Sequence, residues 1–332
     1  MDRKTQHILL AIARPFKLNR LIGWSDQYTL FPFYHTVSPR PLPHISHLYR
    51  ALTPAEFEKD LDQMLRWFEP VSLGDYLDQA GLKSNKRRMV LTFDDGLSGC
   101  HKYIAPLLKK KGIPATFFLN NRFIDNRSLF YRYKASLLVH QVKNDCRSRE
   151  RVAEFLKISA DQVEASIMLA GYEQRKLLDA LALEIGLDIT SYLGSSQVYM
   201  NDKEIRELME WGFELGGHSA DHIDFRNLEP DEMIRQVTLS LEDLQQRFGI
   251  NTGYFAFPFT SDGIPKKVIE HLLEGGTVKA LLGSAGLKRT GKHAFIQRVP
   301  MEQPGIQADD VLRVEYFYYL LKKTVGRNRL RY

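Results

Sequence analysis

Two adjacent carboxylates, Asp94 and Asp95, end the apolar run Met89-Val90-Leu91-Thr92-Phe93, and Gly96 follows them. The run has the length and β-rich composition of a buried strand. Acids side by side repel each other and resist desolvation unless a cation offsets them. Consecutive side chains of an extended chain point to opposite sides. One carboxylate can therefore bind a metal while its neighbour stays free as a base. Gly96 lets the chain turn away through backbone angles closed to other residues. A plain turn followed by a helix cap would use the same residues. The second constellation is His218-Ser219-Ala220-Asp221-His222. Histidines at i and i+4 share a face over one helical turn. Neutral imidazoles with a carboxylate form a common divalent-metal site that leaves positions open for water and substrate. A pair of surface histidines in a loop is the alternative.

Residues of these types need elements that bring them together. Residues 30–34 read as a short strand ending at His35, followed by a loop rich in proline and histidine over 38–47. Thr53-Pro54-Ala55-Glu56 is a capping box with proline at the first helical position. Phe57, Leu61, Leu65 and Phe68 then make one helical face. Residues 71–73 read as a short strand, 89–93 as the central one and 115–119 as another, with a helix between that Gly112 stops. From about residue 123 to 200 the pattern is helical, charged and poor in glycine, without strand signals. Strands return at 213–217, ending at His218, and at 253–257, 278–282 and 295–299, with a long helix over 230–248. About seven strands alternating with helices argue for a parallel α/β fold, a closed or nearly closed (β/α) barrel with a helical insertion. In such a barrel the active site lies at the carboxyl ends of the strands. His35, Asp94, Asp95, His218, Pro258 and Arg298 all fall at or near predicted strand ends. Unrelated polar residues would not converge there so often.

Thr92-Phe93-Asp94-Asp95-Gly96 and His218-Ser219-Ala220-Asp221-His222, in this order, resemble the motifs of the polysaccharide deacetylase family. Its members remove acetyl groups from N-acetylated sugars, and its fold is a distorted (β/α) barrel. The resemblance spans roughly residues 30–299 apart from the insertion. It implies Asp94 as catalytic base and Asp95, His218 and His222 as metal ligands. Tyr254-Phe255-Ala256-Phe257-Pro258-Phe259 resembles the family's third motif, and the Phe259 N–H would then be the oxyanion donor. Ala256 stands where many members have an arginine that orients the base, and Thr260 where glycine is frequent. Arg298, on the last strand, is the candidate replacement for that arginine, its alternative being an ordinary surface residue. The usual late histidine motif has no clear counterpart, since the context of His293 does not match. Phe33-Tyr34-His35-Thr36-Val37 instead resembles the opening strand of the biofilm-polysaccharide branch, where the motifs look permuted and the general-acid histidine comes first. On its own, His35 would suit a packed core position.

The resemblance implies a metal-dependent hydrolase that deacetylates an amino sugar in a glycan or glycan precursor. Alternatives are a deacylase of a formamido sugar or O-acetyl ester, and an inactive carbohydrate-binding relative. Two histidines and an aspartate suit zinc, while iron, cobalt and nickel accept similar ligands. The expected division is a basic N-terminal segment over 1–29, a deacetylase barrel over 30–310 with its insertion at about 123–200, and a basic, aromatic C-terminal tail over 311–332. Cys100 reads as a small buried residue of the helix after Asp95, and the run from Tyr316 to Tyr319 as packing.

Composition sets the frame. An apolar share of 44% is that of a soluble globular protein, and a count of two cysteines, Cys100 and Cys146, argues against a disulfide framework. The apolar run at 7–13 is too short and interrupted for a secretory signal or membrane span, which favours a reducing, cytoplasmic setting. Net charge is +6 and concentrated at both ends. Before Asp26 the only acid is Asp2, against Arg3, Lys4, Arg14, Lys17 and Arg20. No acid follows Glu315, against Lys322, Lys323, Arg327, Arg329 and Arg331. The expected partners are an N-acetylated carbohydrate and, through these ends, anionic lipid at the inner face of a membrane. No nucleic-acid partner is expected.

Overall fold

In a computed structural model, which describes residues 3–79, 86–303 and 305–330, the apolar runs form one parallel sheet. Its strands are β1 Pro32–Tyr34, β2 Leu91–Phe93, β3 Ala115–Leu119, β4 Glu214–Gly217, β5 Tyr254–Ala256, β6 Ala280–Gly283, β7 Phe295–Gln297 and β8 Val299–Pro300. Their order is β7-β6-β5-β4-β3-β2-β1-β8, and every pairing is parallel. The outermost strands, β7 and β8, are separated only by Arg298, so the chain itself joins the two edges of the sheet. The last run changes partners at that residue. The Arg298 N–H donates to the Gly283 carbonyl at 3.0 Å and the Val299 N–H to the Phe31 carbonyl at 2.8 Å. With β7 and β8 counted as one stave, seven staves close a distorted (β/α) barrel. Closure removes free sheet edges.

The strand expected over 71–73 is absent. Glu69–Pro70 pairs instead with Arg88–Met89, which also pairs with Thr29–Leu30, in a small separate sheet. Ser72 then caps a helix, Leu73–Asp78, its hydroxyl accepting the Asp75 N–H at 3.0 Å. The N–H groups of Leu73 and Gly74 both donate to the Glu214 carboxylate at 2.9 Å. A serine cap and a carboxylate at the helix start outweigh a short apolar pattern.

Between β3 and β4 the chain is helical, through Tyr131–Asn144, Cys146–Leu156, Val163–Leu169, Arg175–Glu184 and Ile189–Ser195. These helices share an apolar core that includes Leu138, Val142, Val152, Val163 and Leu178. At the other end of the chain, Ala308–Thr324 packs against both Arg3–Ala13 and Leu18–Ser25. Its first N–H groups are capped from the barrel, Ala308 donating to Asp60 and Asp309 to Gln63, each at 2.9 Å. Tyr316 and Tyr319 are buried in the main core, so much of the aromatic run is packing. The segment begins at Ala308 and forms part of the barrel's outer layer. The terminal helices nevertheless leave Ile8, Ile12, Trp24 and Val325 more than half exposed. Among the described residues no helix is long and apolar enough to cross a membrane.

Candidate active site

The carboxyl ends of the staves deliver the residues that the sequence singles out. β1 runs into His35, β2 into Asp94 and Asp95, β4 into His218, β5 into Phe257-Pro258-Phe259, and β7 into Arg298. A cavity of about 340 Å³ opens at that end, lined by His35, Asp94, Asp95, His218, His222 and Phe259 among others. Three of these residues hold left-handed backbone angles, with φ of 72° at Asp95, 56° at His222 and 57° at Phe259. Such angles cost a non-glycine residue on the order of 1–3 kcal/mol and cluster where geometry serves function.

Asp95, His218 and His222 converge, with one ligand atom from each lying within 4.8 Å of the others. Asp95 Oδ1 is 3.4 Å from His218 Nε2 and 3.2 Å from His222 Nε2. It is buried and has no hydrogen-bond partner, as is His222 Nδ1. Asp95 Oδ2 accepts from the Tyr133 hydroxyl at 2.6 Å. His218 Nδ1 lies 2.7 Å from the Ala256 carbonyl, so Nδ1 donates and Nε2 presents a lone pair. The Asn120 amide fixes the turn behind by donating to the His218 and Ser219 carbonyls. A bare lone pair facing an orphaned carboxylate oxygen repels it unless a cation lies between. Burial pushes the His222 imidazole down. Two imidazole nitrogens and one carboxylate oxygen, open toward a cavity, fit a divalent cation.

Asp94 faces a different partner. Arg298 is fully buried and grips both Asp94 oxygens, Oδ1 at 2.6 Å and Oδ2 at 2.8 Å. The guanidinium also donates to Thr92 Oγ1 at 3.1 Å and the Gly283 carbonyl at 3.2 Å, and lies over the Phe33 ring. Burial resists the Asp94 charge, but the Arg298 guanidinium brings the carboxyl below its ordinary value. Arg298 is thus no surface arginine. It supplies the charge partner missing at Ala256, from a different stave.

His35 is held by a residue that sequence reasoning missed. Glu302 Oε2 lies 2.5 Å from His35 Nδ1, while Oε1 accepts the N–H groups of His35 at 2.9 Å and Thr36 at 3.1 Å. The ring lies tilted against Tyr49, centroids 5.0 Å apart, and borders the cavity. Burial disfavours its charge, but Glu302, helped by Asp95 and Asp94, raises its pKa to about 9. The Phe259 N–H makes no hydrogen bond among the described residues. The Phe259 ring covers His222 at 4.7 Å, and its carbonyl accepts from Ser284 Oγ at 2.6 Å.

Tyr133 was likewise missed, since it comes from the helical stretch that offered no residue-level signal. The other histidines stay outside. His44 meets the Tyr192 hydroxyl, His101 meets Glu207, and His293 stacks on Tyr76. Cys100 is buried, with its sulfur against the His35 carbonyl.

The polysaccharide deacetylase family profile matches residues 81–156 and 173–276. No curated protein sequence matches the chain significantly. Among solved structures, IcaB from Ammonifex degensii is 17% identical, with a TM-score of 0.54 over 86% of this chain and 97% of that one. The Streptococcus pyogenes deacetylase PplD, solved with acetate, is 14% identical, with the same TM-score and coverage. A de-N-acetylase from Aggregatibacter actinomycetemcomitans is 13% identical, with a TM-score of 0.51 over 86% of this chain and 99% of that one. These likenesses are of fold, and the family profile covers more than half of the sequence. The chain belongs to the polysaccharide deacetylase family.

Proposed function

We propose that the chain is a metal-dependent deacetylase that hydrolyses the N-acetyl group of an amino sugar in a glycan or glycan precursor. The observation that carries this reading is the buried, unpartnered Asp95 Oδ1 between two histidine nitrogens, beside a second carboxylate clamped by arginine. Asp95, His218 and His222 would hold the cation, zinc being the first fit for that donor set. Bound there, it supplies Lewis acidity to the acyl carbonyl and acidifies water.

The chain's own residues do the rest. Asp94 takes a proton from the attacking water, using lone pairs that Arg298 leaves open. The Phe259 N–H donates to the oxyanion as the carbonyl carbon becomes tetrahedral. When the C–N bond breaks, the leaving nitrogen needs a proton, because an amide anion is too poor a leaving group. His35, kept protonated by Glu302, donates it from Nε2, and acetate and the free amine result. The exposed Ile8, Ile12 and Trp24, with Arg14, Lys17 and Arg20 also exposed on the same two-helix segment, support peripheral contact with an anionic membrane surface.

Metal analysis and acetate release on purified variants test the assignment. Asp95→Ala, His218→Ala and His222→Ala lose the metal and activity together, whereas Asp94→Asn keeps the metal and loses turnover. His35→Ala keeps metal and fold but loses roughly 10²-fold in rate, the scale of general acid catalysis. Full metal occupancy in the two histidine variants at 218 and 222 would sink the proposal.

A further inference from the structure

The catalytic cavity contains one cation that this mechanism does not use. Arg132 lines it, half-buried, from the helix Tyr131–Asn144, one residue before the tyrosine that holds Asp95. It meets the Tyr131 hydroxyl, but among the described residues it forms no ion pair with a carboxylate. The acids nearby are already engaged. Asp94 is held by Arg298, Asp95 by Tyr133 and Glu302 by His35. On the adjoining loop, Asp221 takes Arg122 and Tyr172, and Asp224 takes Arg226. Arg132 also sits in the first turn of its helix, which carries no acidic residue and no side-chain cap. The helix field there reinforces its charge instead of offsetting it.

A guanidinium is a planar fork of donors that matches two oxygens of a carboxylate or phosphate. Around it the cavity offers Tyr49, Phe130 and Phe259, aromatic faces suited to a sugar ring. We infer that Arg132 is a specificity-determining residue, and that the substrate of this site carries an anionic group beside its acetamido sugar. The inference rests on the deacetylase reading and narrows its substrate class to acidic glycans and glycosyl phosphates. Neutral oligosaccharides leave the guanidinium without an anionic partner.

The test compares kcat/KM for acetate release from three probes on the metal-loaded protein. N-acetylglucosamine 1-phosphate supplies a phosphate, a disaccharide of N-acetylglucosamine and glucuronic acid supplies a carboxylate, and diacetylchitobiose supplies neither. At least one anionic probe is favoured over the neutral one by about 10-fold or more, the scale of a hydrogen-bonded charge pair. Which probe leads tells the phosphate source from the uronate source. Arg132→Gln removes most of that preference, chiefly through KM, and Arg132→Lys restores part of it. Preference for the neutral probe in the wild type, or an undiminished anionic preference in Arg132→Gln, overturns the inference. Absence of acetate from every probe at full metal occupancy is instead a failure of the deacetylase reading. In that case calorimetry with glucosamine 1-phosphate, the glucosamine–glucuronate disaccharide and glucosamine decides the matter. Tighter binding of an anionic sugar that Arg132→Gln abolishes upholds the role of Arg132, and binding equal to that of glucosamine for both overturns it.

Discussion

Replacing Arg298 with methionine keeps an unbranched stem against the Phe33 and Phe118 rings but removes every donor that holds Asp94. Both partners are almost completely buried, at 0% and 3% exposure. Water cannot replace the guanidinium, so Arg298→Met leaves an uncompensated carboxylate in the barrel, along with Thr92 Oγ1 and the Gly283 carbonyl short of a donor each. Breaking one side of a buried pair costs about 3–5 kcal/mol. Asp94→Asn alone strands the guanidinium and should fall in the same range. The double variant Arg298→Met/Asp94→Asn buries no charge and should be more stable than either single variant, with a coupling of about 2 kcal/mol or more. Urea unfolding midpoints of the four proteins, prepared metal-free in one buffer, give this cycle directly. A cost below about 1 kcal/mol for Arg298→Met, or strict additivity in the double variant, refutes the idea that this pair is a mutually dependent buried unit.

Other outcomes follow from the same geometry. Glu302→Gln leaves only the more distant Asp95 and Asp94 charges to oppose the burial of His35, so its imidazole loses its proton at lower pH. The alkaline limb of the kcat/KM profile should then move down by about 1–2 units, and a stationary limb would exclude His35 as the acid. Tyr133→Phe frees Asp95 Oδ2 and should weaken metal affinity about 10–100-fold by competitive chelator titration, with the fold intact by circular dichroism. Burial lowers the pKa of His44 to about 4 from 6.5, so the unfolded chain binds its proton first. Its stabilising contribution is complete above pH 6.5 and is lost as pH falls toward 4, about 3 kcal/mol in all. His44→Gln should flatten the urea midpoint over that interval. Liposome flotation should recover more protein with anionic than with neutral vesicles, and added salt should abolish the difference.

The sequence made the staves legible because their apolar runs are buried on both faces and end in polar residues of a few kinds. Leu91–Phe93 into Asp94-Asp95 is the clearest case. It misread 71–73, where two apolar residues looked like a strand while Ser72 was capping a helix. The site was legible wherever residues are close in the chain. Its supports were not, because Glu302 reaches His35 across 267 positions and Tyr133 reaches Asp95 across 38. Neither carries a local pattern, and single polar residues in such positions look like any other surface group. Arg298 could be nominated only because it ends a strand. Its grip on Asp94 is a property of the closed ring, which brings the last stave beside the first.

That partner change at Arg298 gives the barrel an order of completion. A nascent chain that has emerged only through β6 already contains His35, Asp94, Asp95, His218, His222 and Phe259. It remains an open sheet, with β1 and β6 offering unpaired edges and Asp94 without its cation. Residues 295–300 pair with both of these edges and carry the Arg298 guanidinium to Asp94. The ring and the buried charge pair are therefore completed together, and proteolytic loss of this short segment should leave an open sheet prone to edge-to-edge aggregation.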